Sequence, residues 1–222
     1  MNPIVSVHTP KCSGISFRSW LEGVFGEEAI LFDYADRPID PQSQMNTDPD
    51  QFLARNLANT VLPGGKSVVH GHFWAKKYLN IDGALFVTFL RDPVERLISH
   101  YYYWLSVEHS GHSLHRRVVL DEMDIVEFAR LPEFSGFYRN FFFRDFDMRR
   151  FAFVGDAGRY DAEIGRLETL LGVTGAHLRR NENGHQRYAE EKRRILEDAG
   201  LVARLRDCMR DEIAFFEAWS GR

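Results

Sequence analysis

An apolar run at positions 84–90, Ala-Leu-Phe-Val-Thr-Phe-Leu, constrains the fold of this chain more than any other stretch. A continuous apolar run of this length is typical of a parallel strand that is covered on both faces. Parallel neighbours need crossover connections, most often helices. The run therefore predicts an internal strand of a sheet whose connections pass through helices.

Short apolar strands and amphipathic helices do alternate along the rest of the chain. One further strand is predicted to start at residue 4, and the others are predicted at 29–34, 67–72 and 151–155. One helix is predicted to follow the first strand and to end near residue 26. The remaining helices are predicted at 49–59, 92–105, 124–130, 136–146, 160–171, 189–198 and 201–219. This alternation predicts a three-layer α/β architecture, with a central, mostly parallel sheet flanked by helices and one domain over residues 1–222. Ligands of such sheets bind at the carboxyl ends of the strands.

Composition excludes several classes of protein. The 222 residues are 44% hydrophobic, enough for a sizeable core. A net charge of −4 argues against a general nucleic-acid binder. Cys12 and Cys208 fit neither a disulfide framework nor a metal-ligand spacing, so we expect a reducing, cytoplasmic location. No signal segment and no apolar run near the roughly 18 residues of a membrane span is present. The oligomeric state does not follow from the sequence.

The first candidate site is the loop that follows the first strand. It reads Pro10-Lys11-Cys12-Ser13-Gly14-Ile15-Ser16-Phe17 and leads directly into a helix. Backbone N–H groups at a helix start, together with the lysine charge, form a suitable cradle for a phosphate or sulfate. An ordinary strand-to-helix turn with a solvated lysine would show the same pattern.

A second anion signal follows the run at 84–90. Arg91 leaves the strand just before a helix start, where a guanidinium can bind a phosphate through two nitrogens. Ser99 lies close to two helical turns beyond Asp92, on the side of the helix start. Alternatively, Arg91 pairs with Asp92 or Glu95, and Ser99 is a small packing residue.

The loop at 10–17 and the sequence Phe-Leu-Arg-Asp-Pro-Val-Glu-Arg-Leu-Ile-Ser-His-Tyr at 89–101, taken together, resemble the paired motifs of sulfotransferases that use 3'-phosphoadenosine-5'-phosphosulfate (PAPS). The similarity is greatest to the carbohydrate branch that includes heparan sulfate 2-O- and 6-O-sulfotransferases. His70-Gly71-His72 and the segment from Phe153-Val154-Gly155 into the helix at 163–171 are similar to that branch as well.

The resemblance implies a P-loop-like sulfotransferase fold and a role for each part of the two motifs. The loop backbone at Lys11, Cys12, Ser13, Gly14, Ile15 and Ser16, with the Ser16 hydroxyl, would hold the 5'-phosphosulfate. Lys11 would also stabilise the leaving phosphate, so that PAP, 3'-phosphoadenosine-5'-phosphate, is the product. Arg91 and Ser99 would hold the 3'-phosphate, and Arg187 would lie in a loop that closes over the nucleotide.

The chain departs from the family at one point in the first loop, where Cys12 and Ser13 replace the usual threonine and small residue. We expect tolerance, because backbone donors do most of the binding, although a side-chain role at position 12 is put in doubt. A Walker-type GxxxxGK[ST] motif is absent, which counts against a kinase or NTPase.

Sulfuryl transfer to a hydroxyl needs a base for the acceptor proton but in principle no metal. His72, at the end of the third strand, is our first choice, because imidazole titrates near neutral pH. His70 is the second choice and Asp33 the third. The two histidines would equally fit a hydrogen-bonded structural pair, and zinc would need a third ligand.

The acceptor site has weaker signals. Aromatic and cationic side chains that could line a cleft for an acidic sugar follow the base or lie in the aromatic segment: Trp74, Lys76, Lys77, Tyr138, Arg139 and Arg144. Core packing and solvated charge explain the same residues. The sequence thus predicts a sulfotransferase with a hydroxyl-bearing, carbohydrate acceptor; the alternatives are a non-catalytic nucleotide or phosphate-binding module and a nucleotide-dependent kinase.

Overall fold

The computed structural model describes residues 2–108, 111–176 and 188–222. Within them a five-stranded sheet forms the centre, in the order β2-β3-β1-β4-β5, and each neighbouring pair is parallel. The strands are β1 (Ile4–Val7), β2 (Ile30–Asp33), β3 (Val68–Gly71), β4 (Leu85–Leu90) and β5 (Phe151–Asp156). Helices flank this sheet, and the predicted α/β architecture is confirmed.

The helices connect the strands and extend the chain beyond the last one. They are α1 (Gly14–Phe25), α2 (Gln44–Thr47), α3 (Pro49–Asn56), α4 (Pro93–Ser106), α5 (Ser113–Leu120), α6 (Ile125–Arg130), α7 (Pro132–Ser135), α8 (Tyr160–Leu171), α9 (Tyr188–Glu197), α10 (Ala199–Cys208) and α11 (Arg210–Trp219). A π-helix covers Phe137–Phe142. Among the described residues no helix has the length and apolar character that crossing a membrane requires.

Burial explains why the sheet lies at the centre. Every residue of β1 and of β3 is buried, which requires cover on both faces of the sheet. The apolar run at 84–90 becomes β4, which pairs with β1 on one side and β5 on the other. Asp92 starts α4 by accepting a hydrogen bond from the Glu95 N–H at 2.9 Å, as its position before Pro93 predicts.

The secondary structure differs in several details from the prediction. The stretch between the strand predicted at 29–34 and the helix predicted at 49–59 contains α2, and neither α5 nor α7 was predicted. In place of the helix at 136–146 there is the π-helix, which ends with a hydrogen bond of 2.9 Å from the Phe143 N–H to the Tyr138 carbonyl, five residues earlier. The helix predicted at 201–219 is broken at Met209, whose fully buried side chain lies between α10 and α11.

Candidate functional site

Three strand ends bring the candidate residues to one edge of the sheet. His8, His72 and Arg91 each follow directly after a strand, β1, β3 and β4 respectively. The His8 N–H extends the strand pairing by donating to the Gly71 carbonyl at 2.8 Å. Because the strands are parallel, their carboxyl ends share an edge, and the loop with Lys11 begins there.

The loop between β1 and α1 has an unusual backbone. Lys11 and Ser13 adopt left-handed conformations, with φ of 67° and 61°. For residues other than glycine this costs about 1–2 kcal/mol each. Such strain concentrates at ligand-binding sites. The first N–H groups of α1, at Gly14 and Ile15, have no acceptor inside the helix, so the loop and the helix start present donors together.

The Cys12 and Ser16 side chains turn inward from this loop. The Cys12 thiol is 2% exposed and lies 3.4 Å from the Tyr138 hydroxyl. Burial raises its pKa, so the thiol stays protonated. Ser16 is 6% exposed, whereas Ile15 points outward. Any contact of position 12 with a ligand would therefore involve its backbone.

The cationic side chain of Lys11 is partly buried. Its Nζ lies 4.3 Å from the centre of the Tyr103 ring on α4. Burial and the neighbouring charge of Arg91 lower the pKa of Lys11 to about 8. An anion placed between Lys11 and Arg91 would relieve the repulsion between these two charges.

Arg91 connects the loop to two helices. Its Nη1 donates to the Lys11 carbonyl at 3.4 Å, and its Nη2 pairs with Glu95 Oε2 at 2.9 Å. Lys192 of α9 binds the same carboxylate oxygen at 2.9 Å. Burial alone would favour the neutral acid, but the hydrogen bonds from Lys192 and Arg91 lower the pKa of Glu95. The alternative in which Arg91 pairs with Glu95 is thus present in the structure.

Ser99 lies one helical turn beyond Glu95 on α4 and is 2% exposed. Helix α9 lies along this part of α4, since the rings of Tyr102 and Tyr188 are 6.2 Å apart. The Tyr188 hydroxyl is buried and has no hydrogen-bond partner in the part of the chain that is described. Arg187 directly precedes it and lies outside the described residues.

A cluster of three histidines and a tyrosine occupies the edge beside the loop. The His8 ring lies 4.4 Å from that of His72 and 5.1 Å from that of His70, between ring centres. Tyr34 approaches His72 at 4.8 Å. Burial lowers the pKa of His72 to about 4 and, with the charge of His72, that of His70 to about 3. All three rings are therefore neutral at pH 7, and the expectation that His72 titrates near neutral pH is wrong.

The two histidines of β3 differ in their surroundings. His70 is fully buried, and its Nδ1 lies 2.8 Å from the Ser6 hydroxyl. His72 is partly exposed. The Nε2 atoms of both rings are buried without a hydrogen-bond partner among the described residues. Gly71 between them is required, because a Cβ there would lie 1.7 Å from the Asp33 carbonyl oxygen. In the described chain no group of three or more histidine, cysteine, aspartate or glutamate residues is arranged to hold a metal.

Asp33, the third choice for the base, is engaged in an ion pair. Its Oδ2 accepts hydrogen bonds from Lys77 at 2.6 Å and from the Tyr78 hydroxyl at 2.9 Å, and Asp36 binds the same lysine at 2.8 Å. The hypothesis that Lys77, Trp74 and Tyr138 line an acceptor cleft is wrong. Lys77 is paired, and the other two side chains are almost fully buried in the core.

His8 was not predicted at this edge, and Tyr138 was predicted only as a cleft residue. His8 had a sequence signal, since it follows a strand end just as His72 and Arg91 do. The Tyr138 hydroxyl contacts both Cys12 and Arg91 but had no such signal, because these contacts span 126 and 47 positions of sequence.

Gly14 gives the first test of this arrangement. A Cβ on Gly14 would lie 1.5 Å from His8 Nε2, whose ring is already packed against His70 and His72. We expect Gly14→Ala to lower the free energy of unfolding by about 1–3 kcal/mol, the usual effect of overpacking. Urea unfolding at pH 7.5 measures this change.

The matched control is Gly23 in the same helix. Apart from its chain neighbours and the backbone of its own helix, no atom of the described residues lies within 4 Å of a Cβ at this position. Gly23→Ala should therefore raise stability by about 0.5–1 kcal/mol through helix propensity. If both variants are stabilised, the packing of His8 over Gly14 is contradicted.

Comparison with known proteins gives weak similarities. No protein-family model matches the sequence, and no curated protein matches it. One similar solved structure is a sulfotransferase from Alicyclobacillus acidocaldarius, with 16% identity and a TM-score of 0.40 over 95% of this chain and 96% of that one. A second is mouse sulfotransferase SULT7A1 complexed with PAP, with 11% identity and a TM-score of 0.38 over 86% of this chain and 63% of that one. A third is retinol dehydratase in a complex with retinol and PAP, with 14% identity and a TM-score of 0.35 over 88% of this chain and 65% of that one. TM-scores this low carry no functional conclusion, so the chemistry has to be argued from the site.

Proposed function

We propose that this protein is a sulfotransferase that moves a sulfuryl group from PAPS to an acceptor hydroxyl. One observation carries the proposal: the strained loop at Lys11 and Ser13, the Arg91 guanidinium and the buried Nε2 of His72 lie at one edge of a parallel sheet. An anion cradle, a second cation beside it and an uncharged nitrogen base are the groups that this reaction needs.

The residues at this edge fit a nucleotide with two anionic ends. The loop backbone and Lys11 would hold the 5'-phosphosulfate, and Arg91 with Ser99 would hold the 3'-phosphate. The buried Tyr188 hydroxyl, which has no partner among the described residues, supports a polar ligand on this side. PAPS supplies an activated sulfuryl group on a phosphate leaving group.

His72 would act as the base on the acceptor side. The ring is neutral at pH 7, and in the tautomer with its hydrogen on Nδ1 the Nε2 atom carries a lone pair. This atom would take the proton of the acceptor hydroxyl as the new S–O bond forms. A nearby anion raises the pKa of a histidine, so a bound donor would make His72 a stronger base. Lys11 would stabilise the charge on the leaving phosphate.

The proposed acceptor is a carbohydrate, a proposal that rests on the resemblance of the two motifs. One feature of the site supports it: the Tyr34 ring is 37% exposed and lies 4.8 Å from His72, where it offers an aromatic face to a sugar ring. Transfer of labelled sulfate to sugar, lipid, phenol and peptide hydroxyls would identify the acceptor class.

Calorimetry with PAP, ADP and ATP tests the donor assignment. We expect PAP to bind about 10- to 100-fold more tightly than ADP, because a charge-assisted contact to the 3'-phosphate contributes about 1.5–3 kcal/mol. Equal affinity for ADP would contradict the assignment to Arg91 and Ser99. Binding of PAP without transfer to any acceptor would favour the non-catalytic module, and tight, magnesium-dependent binding of ATP would favour the kinase.

A further inference from the structure

The Tyr138 hydroxyl contacts both anion-binding segments. It donates to the Arg91 carbonyl at 2.9 Å and accepts from the Arg91 N–H at 3.1 Å. It also lies 3.4 Å from the Cys12 thiol. A phenol carries a single hydrogen, and here that hydrogen goes to the Arg91 carbonyl. In the third contact the Tyr138 oxygen can therefore only accept. The Cys12 thiol also lies 3.7 Å from the Pro10 carbonyl, so its single hydrogen is shared between these two acceptors.

Tyr138 itself is held firmly from the opposite side. It is fully buried in the π-helix, and its N–H donates to Glu212 Oε2 of α11 at 2.7 Å. The Arg96 guanidinium lies 5.3 Å from the centre of its ring. π-Helices are frequent at functional sites. With no exposed surface, Tyr138 cannot touch a ligand, so any role in binding is exerted through Cys12 and Arg91.

We propose that the Tyr138 hydroxyl is a positioning group that fixes the separation of the loop at Cys12 from the segment at Arg91, so that one nucleotide with phosphates at both ends is bound by the two segments at once. This inference rests on the proposed function. A ligand that engages two sites gains affinity only when their spacing matches its own. Tyr138 would thus determine the preference for a doubly phosphorylated nucleotide.

The test compares ligands that use one segment or both. Tyr138→Phe keeps the ring and removes the three hydroxyl contacts. We expect the affinity for PAP to fall about tenfold. ADP, which can engage only the loop, and adenosine 3'-phosphate, which can engage only the Arg91 segment, should each change by less than about threefold. Calorimetry measures all three ligands under the same conditions.

The matched control is Tyr101→Phe, which removes a tyrosine hydroxyl that donates to the Met123 carbonyl at 2.9 Å, away from both segments. It should leave all three affinities unchanged. An unchanged PAP affinity in Tyr138→Phe would overturn the inference. An equal loss for PAP and ADP would overturn it too, because general damage to the loop weakens both.

Two further outcomes are distinguishable from these. If the wild-type protein fails to prefer PAP over ADP, the proposed function fails before any variant is compared. If Tyr138→Phe does not fold, Cys12→Ala tests the inference instead. This variant removes the contact between the thiol and the Tyr138 hydroxyl and leaves the tyrosine in place. We expect it to weaken PAP binding about threefold with ADP binding unchanged; the same affinity for PAP as wild type would overturn the inference.

Discussion

Replacing His72 with alanine is expected to slow sulfuryl transfer about 10²–10⁴-fold, the contribution of a positioned general base. Affinity for PAP should stay unchanged, because the anion-binding segments are at Lys11 and Arg91. The Nε2 atoms of both His70 and His72 are buried without a partner in the described chain, so exposure decides between them. His72 is the preferred base because its ring is partly exposed, whereas His70 is fully enclosed and its Nδ1 is hydrogen-bonded to Ser6. Rates with labelled donor, together with calorimetry, separate the two effects.

The pH dependence of kcat/KM gives a second readout on His72. This parameter reports ionisations of the free enzyme. Burial lowers the pKa of His72 to about 4, so the base is lost only as pH falls through about 4. We expect activity per folded molecule to stay level between pH 5 and 7. A loss centred on the usual histidine pKa of about 6.5 would contradict the burial of this ring.

The control for His72→Ala is His115→Ala. His115 lies in α5, away from the strand ends, and is also buried. Its Nε2 lies 2.8 Å from the carbonyl of Trp104 in α4. Its replacement should leave transfer per folded molecule unchanged. If His72→Ala retains full turnover, the base is another group. His70 is then the first to test, because Asp33 is paired with Lys77.

The sequence predicts the parts of this site that depend on local pattern. The apolar run at 84–90 indicates β4 without knowledge of its neighbours, and Asp92 before Pro93 indicates the start of α4. Lys11, His72 and Arg91 share an edge because every strand of the sheet is parallel. These inferences need only hydrophobic periodicity, helix capping and the rule that ligands bind at the carboxyl ends of parallel strands.

Contacts between distant segments are not predictable from such patterns. Tyr138 reads as one of many aromatic residues, and its contacts with Cys12, Arg91 and Glu212 exist only after the π-helix packs against the sheet edge and α11. The low pKa of His72 likewise follows from burial. The break at Met209 has no glycine or proline to mark it, so the helical pattern continues through it.

Replacement of Lys11 by methionine has the second largest expected effect. Removing one group that stabilises transition-state charge typically lowers kcat about 10²–10³-fold. We expect a loss in this range, with a smaller loss of PAP affinity, because the loop backbone remains. The control is Lys66→Met, since Lys66 lies before β3 at the opposite edge of the sheet and donates to the Glu28 carbonyl. It should leave the rate unchanged.

Lys11→Arg separates the role of charge from that of shape. Burial and the charge of Arg91 lower the pKa of Lys11 to about 8, so the wild-type protein loses this cation as pH rises through about 8. Its kcat/KM should therefore fall on the alkaline side near that value. A guanidinium stays charged throughout this range. The arginine variant, though slower because its wider group fits the loop less well, should show no alkaline fall below pH 9.

The two Lys11 variants together distinguish participation in transfer from simple binding. A group that binds donor and transition state equally changes KM and leaves kcat unaltered. If Lys11→Met raises KM alone, Lys11 is a binding charge and the leaving phosphate is stabilised elsewhere. If kcat falls in Lys11→Met and the alkaline limb disappears in both variants, the ammonium acts in the transfer step. The strained backbone at Lys11 then serves to place that charge beside the leaving group.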